Sequence, residues 1–136
     1  MKLIVCIDDN GGMMFNNRRQ SRDRILIEDI IRMTSGSRLY IAEYSKILFE
    51  GNDANILIDD CMLDIASQGD FCFVENKPLS DRANEAEEII IYRWNRRYPY
   101  DLVFDVDLEK EGFVLIDSHE FAGYSHDKIT KEIYRR

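Results

Sequence analysis

Three pairs of acidic residues follow short apolar runs in this chain of 136 residues. They are Asp8 with Asp9, Asp59 with Asp60, and Asp105 with Asp107. Carboxylates gathered at one edge of a sheet can hold Mg²⁺ or Mn²⁺ and support the hydrolysis of phosphodiesters. The candidate metal ligands are Asp8, Asp9, Asp59 and Asp60, and the alternative is that these are solvated acids at strand ends.

Aromatic residues and arginines are interleaved between residues 92 and 100. The candidate partner-binding residues are Tyr92, Trp94, Arg96, Arg97 and Tyr98. This composition is typical of protein–protein hot spots and of surfaces that stack on nucleotides or single strands. Tyr92 and Trp94 would share one face of a strand, so half-buried packing is the alternative. If these side chains are exposed they form an apolar patch, and we then expect a homodimer or a protein partner.

Two further groups carry chemistry-bearing side chains. His119 and His126 lie near the C-terminus with no nucleophile at a recognisable spacing, so we predict that the segment around His126 is a surface turn. The basic cluster comprises Arg18, Arg19, Arg22 and Arg24. It could bind an anionic ligand or an acidic partner, or its members could be paired with nearby acids.

Composition limits the classes of function. The chain has 26 acidic and 18 basic residues and a net charge of -8, which argues against nucleic acid or an anionic membrane as partner. Its length predicts a single domain over residues 1–136. We find no signal-peptide pattern and no apolar stretch of the ~20 residues that a membrane span needs. The three cysteines form no CxxC pair, and the predicted compartment is the cytoplasm.

Hydrophobic periodicity predicts strands and helices in alternation, followed by strands alone. A helix is expected over 22–34, with Ser21 as its N-cap and Leu26 and Ile30 on its apolar face. Residues 8–21 should form a loop, and short helices are expected over 43–50 and near 84–88. The predicted strands are 2–7, 38–42, 55–59, 70–76, 88–94, 100–108, 113–121 and 128–136.

The order of these elements resembles that of the dihydrofolate reductase family. VCI at 5–7 is followed by Asn10, Gly12, Met13 and Asn16 at the spacing of the family's active-site loop. QGDFCFVEN, DLEKEG at 107–112 and KITKEIYRR at the C-terminus are similar to further family segments. The resemblance implies an α/β fold with a mostly parallel central sheet, flanking helices and an antiparallel C-terminal strand.

The chain departs from the family where the resemblance implies an NADPH site. The family binds the pyrophosphate at a glycine pair that opens a helix, but no glycine lies between Glu88 and Gly112. Glu43 stands in place of a phosphate-binding arginine, and Asp59 and Asp60 replace a Ser/Arg pair. A carboxylate within ~6 Å of a phosphate repels it by about 1–3 kcal/mol at intermediate dielectric. We therefore expect no competent NADPH site and predict no cofactor, apart from the candidate divalent metal.

The resemblance also assigns a ligand cleft. Its candidate residues are Asn10, Gly12, Asp23, Glu28, Glu43 and Ser45. Either Asp23 or Glu28 would take the place of the family's pterin-binding carboxylate. The expected function is a binding module for a ligand or a protein. The alternatives are a metal-dependent nuclease or phosphodiesterase that uses the strand-end aspartates, and a residual reductase.

Overall fold

Burial along the first strand shows how one sheet supports two hydrophobic cores. In β1 (Lys2–Ile7), Leu3, Val5 and Ile7 pack into one cluster and Ile4 into another, because successive side chains point to opposite faces. A computed structural model of the chain describes residues 1–52 and 55–136. The predicted turn at 51–54 therefore lies partly outside the described residues.

The main sheet has seven strands in the order β5-β4-β6-β1-β7-β10-β9. Its strands after β1 are β4 (Leu39–Ile41), β5 (Ile56–Ile58), β6 (Phe71–Phe73), β7 (Glu88–Arg93), β9 (Val114–Phe121) and β10 (Ile129–Arg135). β1 pairs in parallel with β6 and β7, and β4 with β5 and β6. β10 is antiparallel to both β7 and β9. The predicted fold class, a mostly parallel sheet with an antiparallel C-terminal strand, is confirmed.

Two α-helices accompany the sheet, α1 (Arg24–Met33) and α2 (Met62–Ile65). Short 3-10 helices occupy Glu43–Phe49 and Ala83–Glu85, where short helices were predicted. α1 buries Leu26, Ile27 and Ile30 against the sheet, as its apolar spacing predicted. The predicted N-cap is wrong, because the carboxylate of Asp23 accepts hydrogen bonds from the backbone N–H groups of Ile25 and Leu26.

A second, three-stranded sheet lies in the region predicted to be a loop. It has the order β3-β2-β8, with β2 (Gly12–Phe15), β3 (Arg18–Arg19) and β8 (Leu102–Val103). Asn16 and Asn17 join β2 to β3 with φ of 51° and 59°, the left-handed region that tight hairpins require. The asparagines that predicted a loop therefore form the turn of a hairpin.

The strand predicted over 100–108 is mostly wrong. The apolar side chains at alternating positions do pack against one core, and they are Leu102, Phe104, Val106 and Leu108. Only β8 pairs as a strand, because the carboxylate of Asp105 instead accepts the backbone N–H groups of Leu79 and Ser80. The apolar side chains of this segment are therefore packed at alternating positions, although only Leu102 and Val103 pair with a neighbouring strand.

Helices and cysteines are the features relevant to the predicted compartment. None of the helices in residues 1–52 and 55–136 is long and apolar enough to cross a membrane. Of the three cysteines, Cys72 is buried and Cys6 is partly buried, whereas Cys61 is exposed.

Candidate functional site

A cleft lies between the N-terminal part of α1 and the carboxyl ends of β1 and β6. Leu26, Ile27 and Leu48 contribute to its apolar lining, together with Phe73 and Trp94. Its polar lining includes Arg19, Gln20, Ser21, Arg22, Asp23 and Glu75. We call this space the α1 cleft; its cavity volume is about 20 Å³, and it is partly open to solvent. Its position is the one that ligands favour in open α/β sheets.

An ion pair forms one wall of the α1 cleft. Arg19 donates from Nε and Nη2 to the two carboxylate oxygens of Glu75, over 3.0 and 3.1 Å. Ser45 Oγ donates to the same carboxylate over 2.7 Å. Burial by itself lowers the pKa of Arg19, but the hydrogen bond and charge of Glu75 outweigh it and raise the pKa. The wall therefore carries two charges that neutralise each other.

Gln20 contributes an acceptor that has no partner. Its Nε2 donates to the carbonyl of Pro99 over 3.3 Å, which fixes the orientation of the amide. Its Oε1 is buried and, among the described residues, receives no hydrogen bond. Unpaired buried acceptors are uncommon in native proteins because they lose the hydrogen bonds that water would provide. A donor from a ligand or a water molecule would satisfy this atom.

Asp23 is buried at the rim of the cleft and is fully engaged by the chain itself. Besides capping α1, it accepts the backbone N–H groups of Tyr124 and Ser125, each over 2.9 Å. Its Oδ2 lies 2.8 Å from Nδ1 of His126. Burial by itself raises the pKa of Asp23, but these hydrogen bonds outweigh it and lower the pKa to about 2. Asp23 is therefore an ionised carboxylate with little capacity left for a ligand.

His126 occupies the centre of this network; the segment around it is an exposed turn, as predicted, but His126 itself is buried. Only 3% of the residue is exposed, and its ring stacks on Trp94 with the centroids 4.6 Å apart. Its Nε2 lies 3.0 Å from Ser21 Oγ and 3.1 Å from the hydroxyl of Tyr98. The sequence predicts unrelated roles for Ser21, Asp23 and His126. Nothing in their spacing pairs them, because they come from opposite ends of the chain.

The other predicted cleft residues lie in different parts of the structure. Ser45 belongs to the wall through Glu75, and Gly12 is buried where a Cβ atom would lie 2.5 Å from Cβ of Tyr100. Asn10 is exposed in the turn after β1. Glu28 is exposed and lines a separate shallow groove on α1. Glu43 is also exposed, and its backbone N–H donates to Asp60. The structure therefore places Asp23 in the lining of the α1 cleft and Ser45 behind it, bonded to Glu75. The lining does not include Asn10, Gly12, Glu28 or Glu43.

The four candidate metal ligands are not brought together. β4 and β6 lie between β1, which precedes Asp8 and Asp9, and β5, which precedes Asp59 and Asp60. Asp8 is 1% exposed and accepts the backbone N–H groups of Asn10, Gly12 and Tyr98. Within residues 1–52 and 55–136, no three His, Cys, Asp or Glu side chains form a metal-binding group. The strand order thus removes the geometric basis of the predicted metal site.

The aromatic side chains of Tyr92 and Trp94 are packed in the interior rather than exposed at the surface. Tyr92 is 0% and Trp94 is 4% exposed, and Tyr98 is half-buried against His126. Tyr92 donates its hydroxyl to Asp29 over 2.5 Å. Arg96 and Arg97 are exposed, whereas Tyr92 and Trp94, which were predicted to share a binding surface with them, are buried. Of the two interpretations of this segment, packing is the one observed for Tyr92 and Trp94, because β7 is an interior strand and Trp94 stacks on His126. A homodimer or protein partner stays a prediction.

The residues that follow the strand ends bear on the predicted lack of an NADPH site. The chain continues after β6 with Val74, Glu75 and Asn76 and after β7 with Trp94 and Asn95, without a glycine pair or an α-helix. Acidic residues follow the carboxyl ends of four parallel strands, at Asp8, Glu43, Asp59 and Glu75. These groups repel phosphates and offer them no hydrogen-bond donor.

Comparisons with known proteins bear on the fold. No family model and no curated protein matches the chain. Among solved structures, the chain is similar to dihydrofolate reductase from Enterococcus faecalis complexed with NADP(H) and RAB-propyl. The match covers 99% of this chain and 95% of that chain, with a TM-score of 0.68 and 10% sequence identity. A likeness over nearly the whole of both chains shows that this protein has the dihydrofolate reductase fold.

Proposed function

We propose that this chain is a ligand-binding protein that holds a small, mostly apolar molecule in the α1 cleft and does not use NADPH. The observation that carries the proposal is the unpaired Oε1 of Gln20 in a largely apolar cleft, in which Arg19 and Glu75 form an ion pair. Binding sites for small molecules are usually concave and mostly apolar, with a few polar groups that set orientation.

The hydrogen bonds of Asp23 argue against reductase chemistry on a pterin. A carboxylate that binds a pterin ring must offer free lone pairs to it. Asp23 already accepts bonds from four backbone N–H groups and from His126. Glu28, the other carboxylate that the resemblance suggested, is exposed in a separate groove.

The same wall defines the chemistry of the ligand. Arg19 and Glu75 neutralise each other, and Arg22, a further cation of the lining, is exposed to solvent, so the buried part of the cleft favours a ligand without charge. Leu26, Leu48 and Phe73 offer apolar contact, while Gln20 Oε1 offers one acceptor. The ligand we infer has an apolar body and one hydrogen-bond donor.

Fluorescence of Trp94 tests this proposal directly. Trp94 is the only tryptophan and lines the cleft, so its emission reports occupancy. The probes are 1-hexanol and its isomer 1-methoxypentane, which have the same number of heavy atoms but differ in the O–H donor. We expect 1-hexanol to bind about two- to twelvefold more tightly, the contribution of one hydrogen bond of about 0.5–1.5 kcal/mol.

Two matched variants identify the acceptor. Gln20→Met removes the acceptor at similar size and should abolish the preference for 1-hexanol. Gln68→Met alters the exposed glutamine and should preserve it. Equal binding of the two probes to the unmodified protein, or no change in Trp94 emission with either, would refute the proposal. A preference that survives in Gln20→Met would also refute it.

A further inference from the structure

Ser21, His126 and Asp23 form a continuous hydrogen-bonded line at the rim of the α1 cleft. Ser21 Oγ lies 3.0 Å from His126 Nε2, and His126 Nδ1 lies 2.8 Å from Asp23 Oδ2. These are the contacts that a serine nucleophile, its general base and the group that orients the base require. We propose that Ser21 is a nucleophile that accepts acyl groups, and that the protein hydrolyses small carboxylic esters with an apolar acyl chain.

The environment of His126 orients its ring for this role. The Asp23 carboxylate is a pure acceptor, so it favours the tautomer with hydrogen on Nδ1 and leaves the lone pair of Nε2 facing Ser21. Stacking on Trp94 fixes the plane of the ring. Asp23 is itself held by the backbone N–H groups of Tyr124 and Ser125. The base is therefore preorganised by contacts from α1, the segment after β7 and the β9–β10 turn.

Ser21 is accessible from the cleft, whereas His126 is not exposed. Ser21 is partly buried and lines the cleft together with Leu26 and Trp94. An acyl chain lying along the apolar lining would place its carbonyl at Ser21. This placement of the acyl chain is the one part of the inference that rests on the proposed function. Arg22 also lines the cleft, and in the described part of the chain no carboxylate lies within ion-pair distance of it. Its positive charge is available to a developing oxyanion.

The reaction balances with water as the second substrate. Ser21 Oγ bonds to the ester carbonyl carbon while its proton passes to His126 Nε2. The carbon–oxygen bond to the leaving alcohol breaks, and the alcohol takes that proton. Water then attacks the acyl-serine and gives a proton to Nε2, which returns it to Ser21 Oγ as the carboxylic acid leaves.

Tyr98 competes with Ser21 for the same nitrogen. Its hydroxyl lies 3.1 Å from Nε2, which has only one lone pair to share. When Tyr98 donates to Nε2, Ser21 does not, so the tyrosine holds back the nucleophile. Tyr98→Phe removes the competing donor and leaves Ser21 as the partner of His126. We therefore expect a faster reaction at Ser21 in this variant, an effect that a purely structural network would not produce.

Labelling with diisopropyl fluorophosphate, followed by intact-mass measurement and peptide mapping, tests the proposal on the full chain. We expect one adduct, at Ser21, formed at a rate that rises at least twofold in Tyr98→Phe. His126→Gln should lower the rate by about 100-fold or more, the usual contribution of a general base. Ser118→Ala, which alters an exposed serine on β9, should label like the unmodified protein. Far-UV circular dichroism verifies that each variant is folded.

Three outcomes would overturn the proposal. They are no adduct at Ser21 in the unmodified protein, a rate in folded His126→Gln equal to that of the unmodified protein, and a slower reaction in Tyr98→Phe. The reagent bonds covalently to Ser21 at the rim of the cleft, so this test does not depend on reversible binding of the proposed apolar ligand. Labelling of Ser21 without 1-hexanol binding would refute only the proposed function, and binding without labelling would refute only the nucleophile.

Discussion

The Nδ1 atom of His126 lies 2.8 Å from the Oδ2 atom of Asp23, although 103 positions separate the two residues in the chain. Asp23 caps α1, and His126 closes the turn between β9 and β10, where its carbonyl accepts the N–H of Gly123. The contact thus fastens the first long helix to the C-terminal hairpin. It also makes the stability of the fold depend on the ionisation of one buried carboxylate.

Asp23→Asn should destabilise the protein at pH 7 and should do so much less in acid. The folded-state pKa of Asp23 is about 2, against about 3.9 in the unfolded chain, so the ionised group contributes on the order of 2–3 kcal/mol. Because the folded pKa is lowered, this contribution is complete above pH ~4 and is lost as the pH falls through ~2. Urea unfolding at pH 7 and at pH 2.5 measures both values. If the free energies of unfolding of the protein and the variant differed equally at the two pH values, the lowered pKa of Asp23 would be contradicted.

Gly123→Ala should disturb the same contact by steric means. A Cβ atom at this position would lie 2.6 Å from Asp23 Oδ2 and 2.8 Å from Ile129 Cδ1. Displacing these groups should cost about 1–3 kcal/mol and weaken the acid dependence of stability. Gly36→Ala is the control. A Cβ atom at Gly36 would meet no neighbouring atom, so its loss of stability would come from backbone strain at a φ of +84°. The control should lose stability without changing its acid dependence, as urea unfolding across pH would show.

Tyr92→Phe should lower the free energy of unfolding by about 1–2 kcal/mol. The Tyr92 hydroxyl donates to Asp29 over 2.5 Å, and burial together with the charge of Asp29 raises the pKa of this tyrosine. Asp29 keeps Lys131 and Arg32 as partners, so the loss stays moderate. Tyr124→Phe, at a side chain that is 67% exposed, should change stability by less than about 0.5 kcal/mol. Similar losses in the two variants would argue against the buried hydrogen bond.

NADPH should bind more weakly than ~1 mM, an affinity of about -4 kcal/mol. Asp8, Glu43, Asp59 and Glu75 follow the strand ends where phosphates would have to lie, and they carry no compensating donor. Isothermal titration of the protein with NADPH provides the measurement. Micromolar affinity would show that this edge of the sheet accommodates the cofactor despite its carboxylates.

Local patterns in the sequence were sufficient for the framework of the fold. The apolar run at 2–7 predicted the strand β1, and the spacing of Leu26 and Ile30 predicted the buried face of α1. The order of elements indicated the dihydrofolate reductase fold and its antiparallel last strand. These features follow from residues within one or two turns or strand repeats of each other, so the covalent order of the chain determines them.

The site was decided by contacts that the covalent order does not specify. The strand order β5-β4-β6-β1 separated Asp59 from Asp8, and the interior position of β7 buried Tyr92 and Trp94. The same topology carried the C-terminal turn to the N-terminus of α1 and joined His126 to Asp23 and Ser21. Hydrogen bonding and burial depend on which distant segments become neighbours. The residue types in the sequence therefore indicated what chemistry was available, and only the tertiary structure determined which groups could act together.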